Sequence, residues 1–276
     1  MNKILNHGQS PAGLAANPVS GAEVMALADK VIATGEGVSE AEAVSLTAAS
    51  LDALKDAAER ITKACASRRF DTCSIINGKS GKCPEDCKWC AQSAHYHAHI
   101  HEYPLVSAEK LEEAAEFSRS KGIGRFSIVT SGKRLKPDEV EQLCSSVREL
   151  AAKTDIRLCL SAGLLSEEDL RIFREAGISR YHCNLESSPS FFGRLCTTHT
   201  QEEKISTLKA AVKAGLEICS GGIIGMGESL QQRIELAFTL RELGVKSVPI
   251  NILSPIPGTP LENRPLIPEE DVLRTI

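Results

Sequence analysis

The chain has 276 residues, a net charge of −4, 42% hydrophobic and 25% charged content, a size that suits one large α/β barrel or two ordinary domains. No basic excess argues for nucleic acid, and no apolar run reaches the roughly 18–20 residues of a membrane span. The first twenty residues lack the apolar stretch of a secretory signal and the arginines of a transit peptide, so a cytoplasmic protein is expected, its ten cysteines reduced rather than paired.

In chain order, residues 1–66 read as an alanine-rich, helical N-terminal extension. Ser39 with Glu42 forms a capping box for one helix running toward Ser50, and a second follows from about Leu51 to Ala66. From residue 67 onward, short apolar runs alternate with amphipathic helices. Strands are expected at 69–77, 125–130, 155–161, 180–186, 216–222 and 246–253. Helices are expected from near Ser107, near Pro137, at Ser166 with Asp169, and at Thr200 with Glu203.

One phrase recurs at the helix ends: Lys121-Gly122-Ile123, Ala176-Gly177-Ile178, Ala214-Gly215-Leu216 and Leu243-Gly244-Val245. A glycine stops each helix and an apolar residue opens the next strand. This is a βα repeat, compatible with a doubly wound sheet or a β/α barrel. Six units are present where a closed barrel of TIM type needs eight. The expectation is therefore a β/α barrel over 67–276 with its last two strands missing. Such a chain is a fragment, or it is completed by a partner strand.

Cys83, Cys87 and Cys90 form a C-x3-C-x2-C run in GKCPEDCKWCAQS, directly after the first strand. Three thiolates on one loop suit three irons of a cubane cluster and leave a fourth iron open, which a small molecule with an amino and a carboxylate group would chelate. Structural zinc wants four closed ligands, usually in two C-x2-C pairs, and no second pair exists. The loop also lies at the C-terminal end of a strand, where barrels of this kind place their chemistry.

In these features the chain resembles the radical S-adenosylmethionine (SAM) superfamily. The phrases CPEDCKWCAQS, YHCNLESSPSFFG (181–193), CSGGIIGMGE (219–228), SVPINIL (247–253) and PGTPLE (257–262) further resemble the biotin synthases, in family order over some three-quarters of the chain. The resemblance implies a 4Fe–4S cluster on Cys83, Cys87 and Cys90, with S-adenosyl-L-methionine on the free iron. It implies a 5′-deoxyadenosyl radical that abstracts hydrogen from dethiobiotin, and sulfide supplied by an auxiliary iron–sulfur cluster of 2Fe–2S type or larger. Carried over by position, Trp89 and Ile223 would contact the adenine. Asn184 and Glu186 would contact the ribose and the substrate, with glutamate standing where the family has aspartate. Lys204 stands where an arginine often lies near the cofactor carboxylate, and Asn251 would bond the ureido ring of dethiobiotin. A homodimer and an electron donor such as flavodoxin or ferredoxin are also implied.

The familiar auxiliary cluster has three cysteine ligands and one arginine. Cys159 and Cys219 match two of the cysteines, but Ser127 stands at the third, and the arginine belongs on a seventh strand. Cys73 offers a replacement. Alternate barrel strands share interior layers, so Cys73, Cys159 and Cys219 on strands one, three and five would face one centre, unless Cys73 is simply a packed strand thiol. Cys183 has the opposite parity if Asn184 and Glu186 face the cofactor. Cys65, Cys144 and Cys196 read as incidental, and His95, His97, His99 and His101 as a solvated loop. Two other readings stay open: a radical enzyme with a different substrate, and a truncated, non-catalytic paralogue that binds a cluster.

Overall fold

The computed structural model describes residues 19–276; the reading of the first residues as free of a signal falls outside the described residues up to position 18. The chain divides into two compact units between Ala66 and Ser67. In the first, α1 (Gly21–Thr34), α2 (Glu40–Leu46) and α3 (Leu51–Cys65) follow one another. Ser20 with Glu23 and Ser39 with Glu42 form reciprocal capping boxes, and the Ser50 hydroxyl accepts from the Ala53 amide. Each satisfies amides that the first helical turn leaves unpaired. The buried residues are Val24, Ala28, Ala49 and Ala57, so small side chains let α1 and α3 pack closely.

The second unit alternates strand and helix. β1 (Cys73–Lys79) is followed by α4 (Ala108–Ser120), β2 (Arg125–Thr130), α5 (Pro137–Lys153), β3 (Arg157–Ser161), α6 (Glu167–Ala176) and β4 (Ile178–His182). Then come α7 (Pro189–Phe192), α8 (Gln201–Lys213), β5 (Glu217–Cys219), β6 (Gly222–Ile224), α9 (Leu230–Glu242), β7 (Ile250–Ile252) and α10 (Glu269–Thr275). β1 to β5 form one parallel sheet in sequence order, and β6 pairs in parallel with β7. Bridges Glu186–Gly222 and Cys219–Ser247 carry the order across the break between them. The result is the partial β/α barrel expected, with β1 and β7 as its outer strands. All four recurring helix-ending glycines, at 122, 177, 215 and 244, have positive φ, a region that other residues enter at a cost.

Strand limits differ from the expectation for identifiable reasons. The first strand starts at Cys73 rather than 69, because Phe70 is 94% exposed and Asp71 turns its carboxylate to Arg125 and Arg157. The fourth runs over 178–182; beyond it single amide bonds, such as Cys183 to Cys219 and Glu186 to Gly221, continue the pairing. The fifth is split at Ser220–Gly221 into β5 and β6. The sixth is limited to β7, following Pro249, which has no amide hydrogen to donate.

Strand alternation divides the barrel wall into two chemistries. Phe126, Ile128, Leu158, Leu160, Ile178 and Tyr181 are fully buried and join Leu111, Leu143, Leu170, Phe173 and Leu208 of the helices in one core. Each such side chain contributes about 1.5–3 kcal/mol. The alternate residues Cys73, Arg125, Ser127, Cys159, Arg180, Glu217 and Cys219 have the opposite parity and line the interior.

A Cβ on Gly221 would lie 1.9 Å from the Pro249 carbonyl oxygen, whereas one on Gly122 would meet nothing within 4 Å. Gly221→Ala is expected to lower stability by about 3 kcal/mol through overpacking, and Gly122→Ala by about 1 kcal/mol through its left-handed backbone. Denaturant unfolding of the metal-free variants, compared with the wild type, checks the order and the gap.

Candidate active site

The loop after β1 is held from within and from outside. Within it, Cys83 donates its amide to Gln92 and accepts from Ala94, and the Cys90 amide bonds to the Cys87 carbonyl. From outside, Asp86 Oδ1 accepts from the amides of Thr197 at 2.8 Å and Thr198 at 3.2 Å. Glu85, almost fully buried, accepts from Thr198 Oγ1 at 2.9 Å and pairs with His199 Nδ1. Lys88 donates its amide to the Leu195 carbonyl. The Glu-Asp of CPEDC therefore latches the three-thiol loop to residues 195–199. Burial opposes ionisation of Asp86, but the donors of Thr197, Cys196 and Thr198 outweigh it and hold its carboxyl well below the usual range.

Burial raises the thiols of Cys83 and Cys90; contact with Cys196 and then burial raise Cys87 still further. Without metal, this loop holds neutral thiols. The three sulfurs are spread too widely for one ion: among the described residues, the single set of histidine, cysteine and carboxylate ligand atoms within 4.8 Å of one another is Cys87, Cys196 and His199. Three well-spread thiols are a donor set that suits a multi-iron group.

The other expected contact residues lie on the loop itself, after β4, and on α8, β6 and β7. Trp89 and Ile223 share one apolar cluster with Phe191, Leu195, Met226 and Leu253. Asn184 Oδ1 accepts from the Gly221 amide at 2.9 Å. Glu186 has a positive φ of 68°, and its Oε2 is buried with no hydrogen-bond partner. Such an atom fits a ligand hydroxyl, because an unpaired buried acceptor is costly. Burial raises its carboxyl, partly countered by Lys204. Lys204, on α8, has its ammonium 6.0 Å from the centre of the Phe192 ring. Burial opposes its charge, but Cys183, Glu186, Cys87 and Cys196 together raise its pKa. Asn251 is the ladder neighbour of Ile223, and its amide nitrogen lies 3.5 Å from the Gly222 carbonyl oxygen. Cys183 is buried in the outer core, with the parity expected.

The other expected thiols lie on β1, β3 and β5, with Cys73 exposed, Cys159 buried and Cys219 partly buried. Counting along the ladders, Cys73 is level with Arg125, Cys159 stands two residues higher on β3, and Cys219 two higher again on β5. Strand tilt in such a barrel shifts the interior layer by about one residue per strand, so this stagger puts the three in one layer. Burial raises the thiols of Cys73 and Cys159, while nearby Arg125 and Arg180 lower them.

Sequence reasoning missed the charged partners of this layer. Arg125 Nη1 lies 3.9 Å from Cys159 Sγ, while the same guanidinium reaches Asp71 and Glu217. Arg180 joins Glu217 at 3.0 Å and Ser247 at 3.5 Å, and the Ser247 hydroxyl donates to Cys219 Sγ at 3.3 Å. Two arginines of the existing strands thus face the layer where the resemblance supplied one from a seventh strand. Parity within the strands was the signal that could have found them.

His182, the ladder neighbour of Cys219, was also overlooked; burial, with Lys204, lowers its pKa to about 4, so it is neutral. Reading Cys196 as incidental is corrected, because its sulfur lies 3.6 Å from Cys87 Sγ. Contact with the Cys87 thiol, aided against burial by His199 and Thr198, pulls Cys196 down to about 4. Cys65 is exposed, and Cys144 is buried on α5. His97, His99 and His101 belong to no metal-sized group among the described residues.

A parallel β/α barrel section carrying three thiols on the loop after its first strand defines a radical SAM enzyme, and the family model of the Radical SAM superfamily matches residues 79–240. The biotin synthase of Porphyromonas gingivalis is 51% identical over 253 residues, covering 92% of this chain and 77% of its own. That of Clostridium botulinum is 47% identical over 247 residues, covering 90% and 78%. With these relatives the chain belongs to the biotin synthase family. Among solved structures, methylornithine synthase (PylB) superposes with a TM-score of 0.77 at 20% identity, over 90% of this chain and 76% of its own, a likeness of fold.

The Asp86 latch has a pH signature. Its folded pKa is depressed, so its stabilisation is present above the unfolded carboxylate value of about 3.9 and is lost as pH falls through the lower folded value. Asp86→Asn is expected to cost about 2 kcal/mol near pH 6, the worth of a charged hydrogen bond. The gap to wild type should shrink below about pH 4. Denaturant midpoints of the metal-free proteins between pH 6 and 3 check this; a gap independent of pH would contradict it.

Proposed function

We propose that this chain is a biotin synthase that uses S-adenosyl-L-methionine to insert sulfur into dethiobiotin. When bound, a 4Fe–4S cluster with an open iron supplies reductive cleavage of the sulfonium, and an auxiliary iron–sulfur cluster supplies the sulfur. One observation carries the reading: two separate thiol sets, Cys83–Cys87–Cys90 and Cys73–Cys159–Cys219, belong to one barrel wall, the first on the loop beyond β1 and the second on interior-facing strand positions.

Each residue then has a chemical task. Cys83, Cys87 and Cys90 would hold the first cluster, and the latch at Glu85 and Asp86 keeps them at the strand end. Trp89 and Ile223 would offer an apolar surface to the adenine. Glu186, with its unpartnered oxygen, and Asn184 would take the ribose hydroxyls, and Lys204 would face the carboxylate of the cofactor. Asn251 would orient dethiobiotin from β7. Cys73, Cys159 and Cys219 would hold the auxiliary cluster, with Arg125 and Arg180 offsetting thiolate charge. No acid–base dyad is required, and His182, neutral in the interior, adds no charge there. The reading also includes a one-electron donor such as flavodoxin or ferredoxin, a homodimer and a cytoplasmic setting.

The test is anaerobic turnover after reconstitution with iron and sulfide. Wild-type chain should form 5′-deoxyadenosine and biotin in a dethiobiotin-dependent manner. Cys83→Ser should reduce both to background. Cys73→Ser should keep reductive cleavage of the cofactor while lowering auxiliary iron, sulfide and biotin. Cofactor cleavage indifferent to dethiobiotin would favour another substrate, and an unchanged auxiliary cluster in Cys73→Ser would remove that cysteine from the ligand set.

A further inference from the structure

Beside the three-thiol loop, Cys196 has no task in the function proposed above, and His199 enters it only as the latch partner of Glu85. Both are buried, at 2% and 7% exposure. Cys196 Sγ lies 3.6 Å from Cys87 Sγ and 3.2 Å from His199 Nδ1, and the three ligand atoms fall within 4.8 Å of one another. A zinc-sized ion, about 2.3 Å from sulfur and about 2.0 Å from nitrogen, holds tetrahedral sulfur pairs about 3.8 Å apart and sulfur–nitrogen pairs about 3.5 Å apart. The spacing found here is close to that of a preformed single-ion site.

The surroundings favour a cation. Asp86 Oδ1 lies 3.2 Å from Cys196 Sγ, and the Glu85 carboxylate touches the His199 ring, so an oxygen donor is at hand for a fourth position. The latch holds all four residues against one another in the absence of metal. The loop set behaves differently, since Cys83, Cys87 and Cys90 are not within single-ion range of one another.

We propose that Cys87, Cys196 and His199 form a mononuclear site for a thiophilic divalent cation of the ferrous or zinc type, occupied only while the loop carries no iron–sulfur cube. Cys87 has one sulfur, and the cube claims it. An ion held by Cys87, Cys196 and His199 therefore waits one ligand away from the cluster position and is released or incorporated as the cube forms. The exclusive occupancy rests on the cluster reading above; the binding of the ion does not.

Co2+ is the probe, titrated anaerobically into metal-free, full-length chain carrying Cys159→Ser, which disarms the other thiol set. One equivalent should give the visible bands of tetrahedral cobalt with thiolate charge transfer. Adding Cys196→Ser or His199→Ala should weaken binding at least tenfold, and adding Cys83→Ser should leave it unchanged. Zinc-edge X-ray absorption of the Cys159→Ser chain, which relies on no change at the site, should give two sulfurs and one imidazole. Three sulfurs without imidazole, or wild-type cobalt affinity after Cys196→Ser and His199→Ala, would overturn the site. Reconstitution of zinc-loaded chain with iron and sulfide should release one zinc per cube formed. A cube formed with zinc retained would overturn the exclusivity, and failure of zinc-free chain to form any cube would sink the cluster reading while leaving the cobalt result to judge the ion site.

Discussion

The fastening of the three-thiol loop by Glu85 and Asp86 is the contact on which the rest of the site depends. A long connection with little secondary structure of its own is not rigid by itself. Here two acidic side chains reach the 197–199 segment through several hydrogen bonds, and charged acceptors make the strong ones. The trailing part of the loop is tied as well, because the His97 amide bonds to the Gly258 carbonyl. The PGTPLE phrase thereby acts as a clasp, and a side chain on Gly258 would strike the His97 backbone. Desolvated thiols held in place this way stay neutral until metal arrives, and binding then costs little rearrangement.

Strand parity explains how one wall serves two purposes. Its outward residues are apolar and seal against the helices; its inward residues carry thiols, guanidinium groups and carboxylates. The inner charges compensate one another: Glu217 joins Arg125 to Arg180, and each arginine touches the neighbourhood of a cysteine. Of the three cysteines Cys159 is the buried one, and a thiolate there without such a partner would be strongly unfavourable. The same parity turns Cys183 into the core and Cys159 into the interior, although both are buried cysteines on or beside neighbouring strands.

Much of this was legible in residue order. Capping pairs located α2, α6 and α8, Pro137 marked the start of α5, and four glycines marked the helix ends because their backbone φ is positive. The C-x3-C-x2-C spacing pointed to the cluster loop because its chemistry is local. Strand ends were harder: Phe70 looks like a strand residue yet is exposed, since apolar character alone does not say whether a neighbour exists to cover it. Cys196 read as incidental and His199 escaped notice because they lie more than a hundred residues from Cys87 and Glu85 in the chain. Arg125 and Arg180 were hidden by their type, since arginine within a strand reads as an edge or surface feature until a charged interior is known.

The central claim is that Cys83, Cys87 and Cys90 hold an iron cube with one iron free for the amino and carboxylate groups of S-adenosyl-L-methionine. Electron–nuclear double resonance on the reduced, reconstituted chain tests it most directly, with the cofactor labelled with 15N at its amino group. The account predicts a hyperfine coupling between the label and the cluster in wild-type protein. Absence of that coupling, in a sample where equilibrium dialysis shows the cofactor bound, would contradict it.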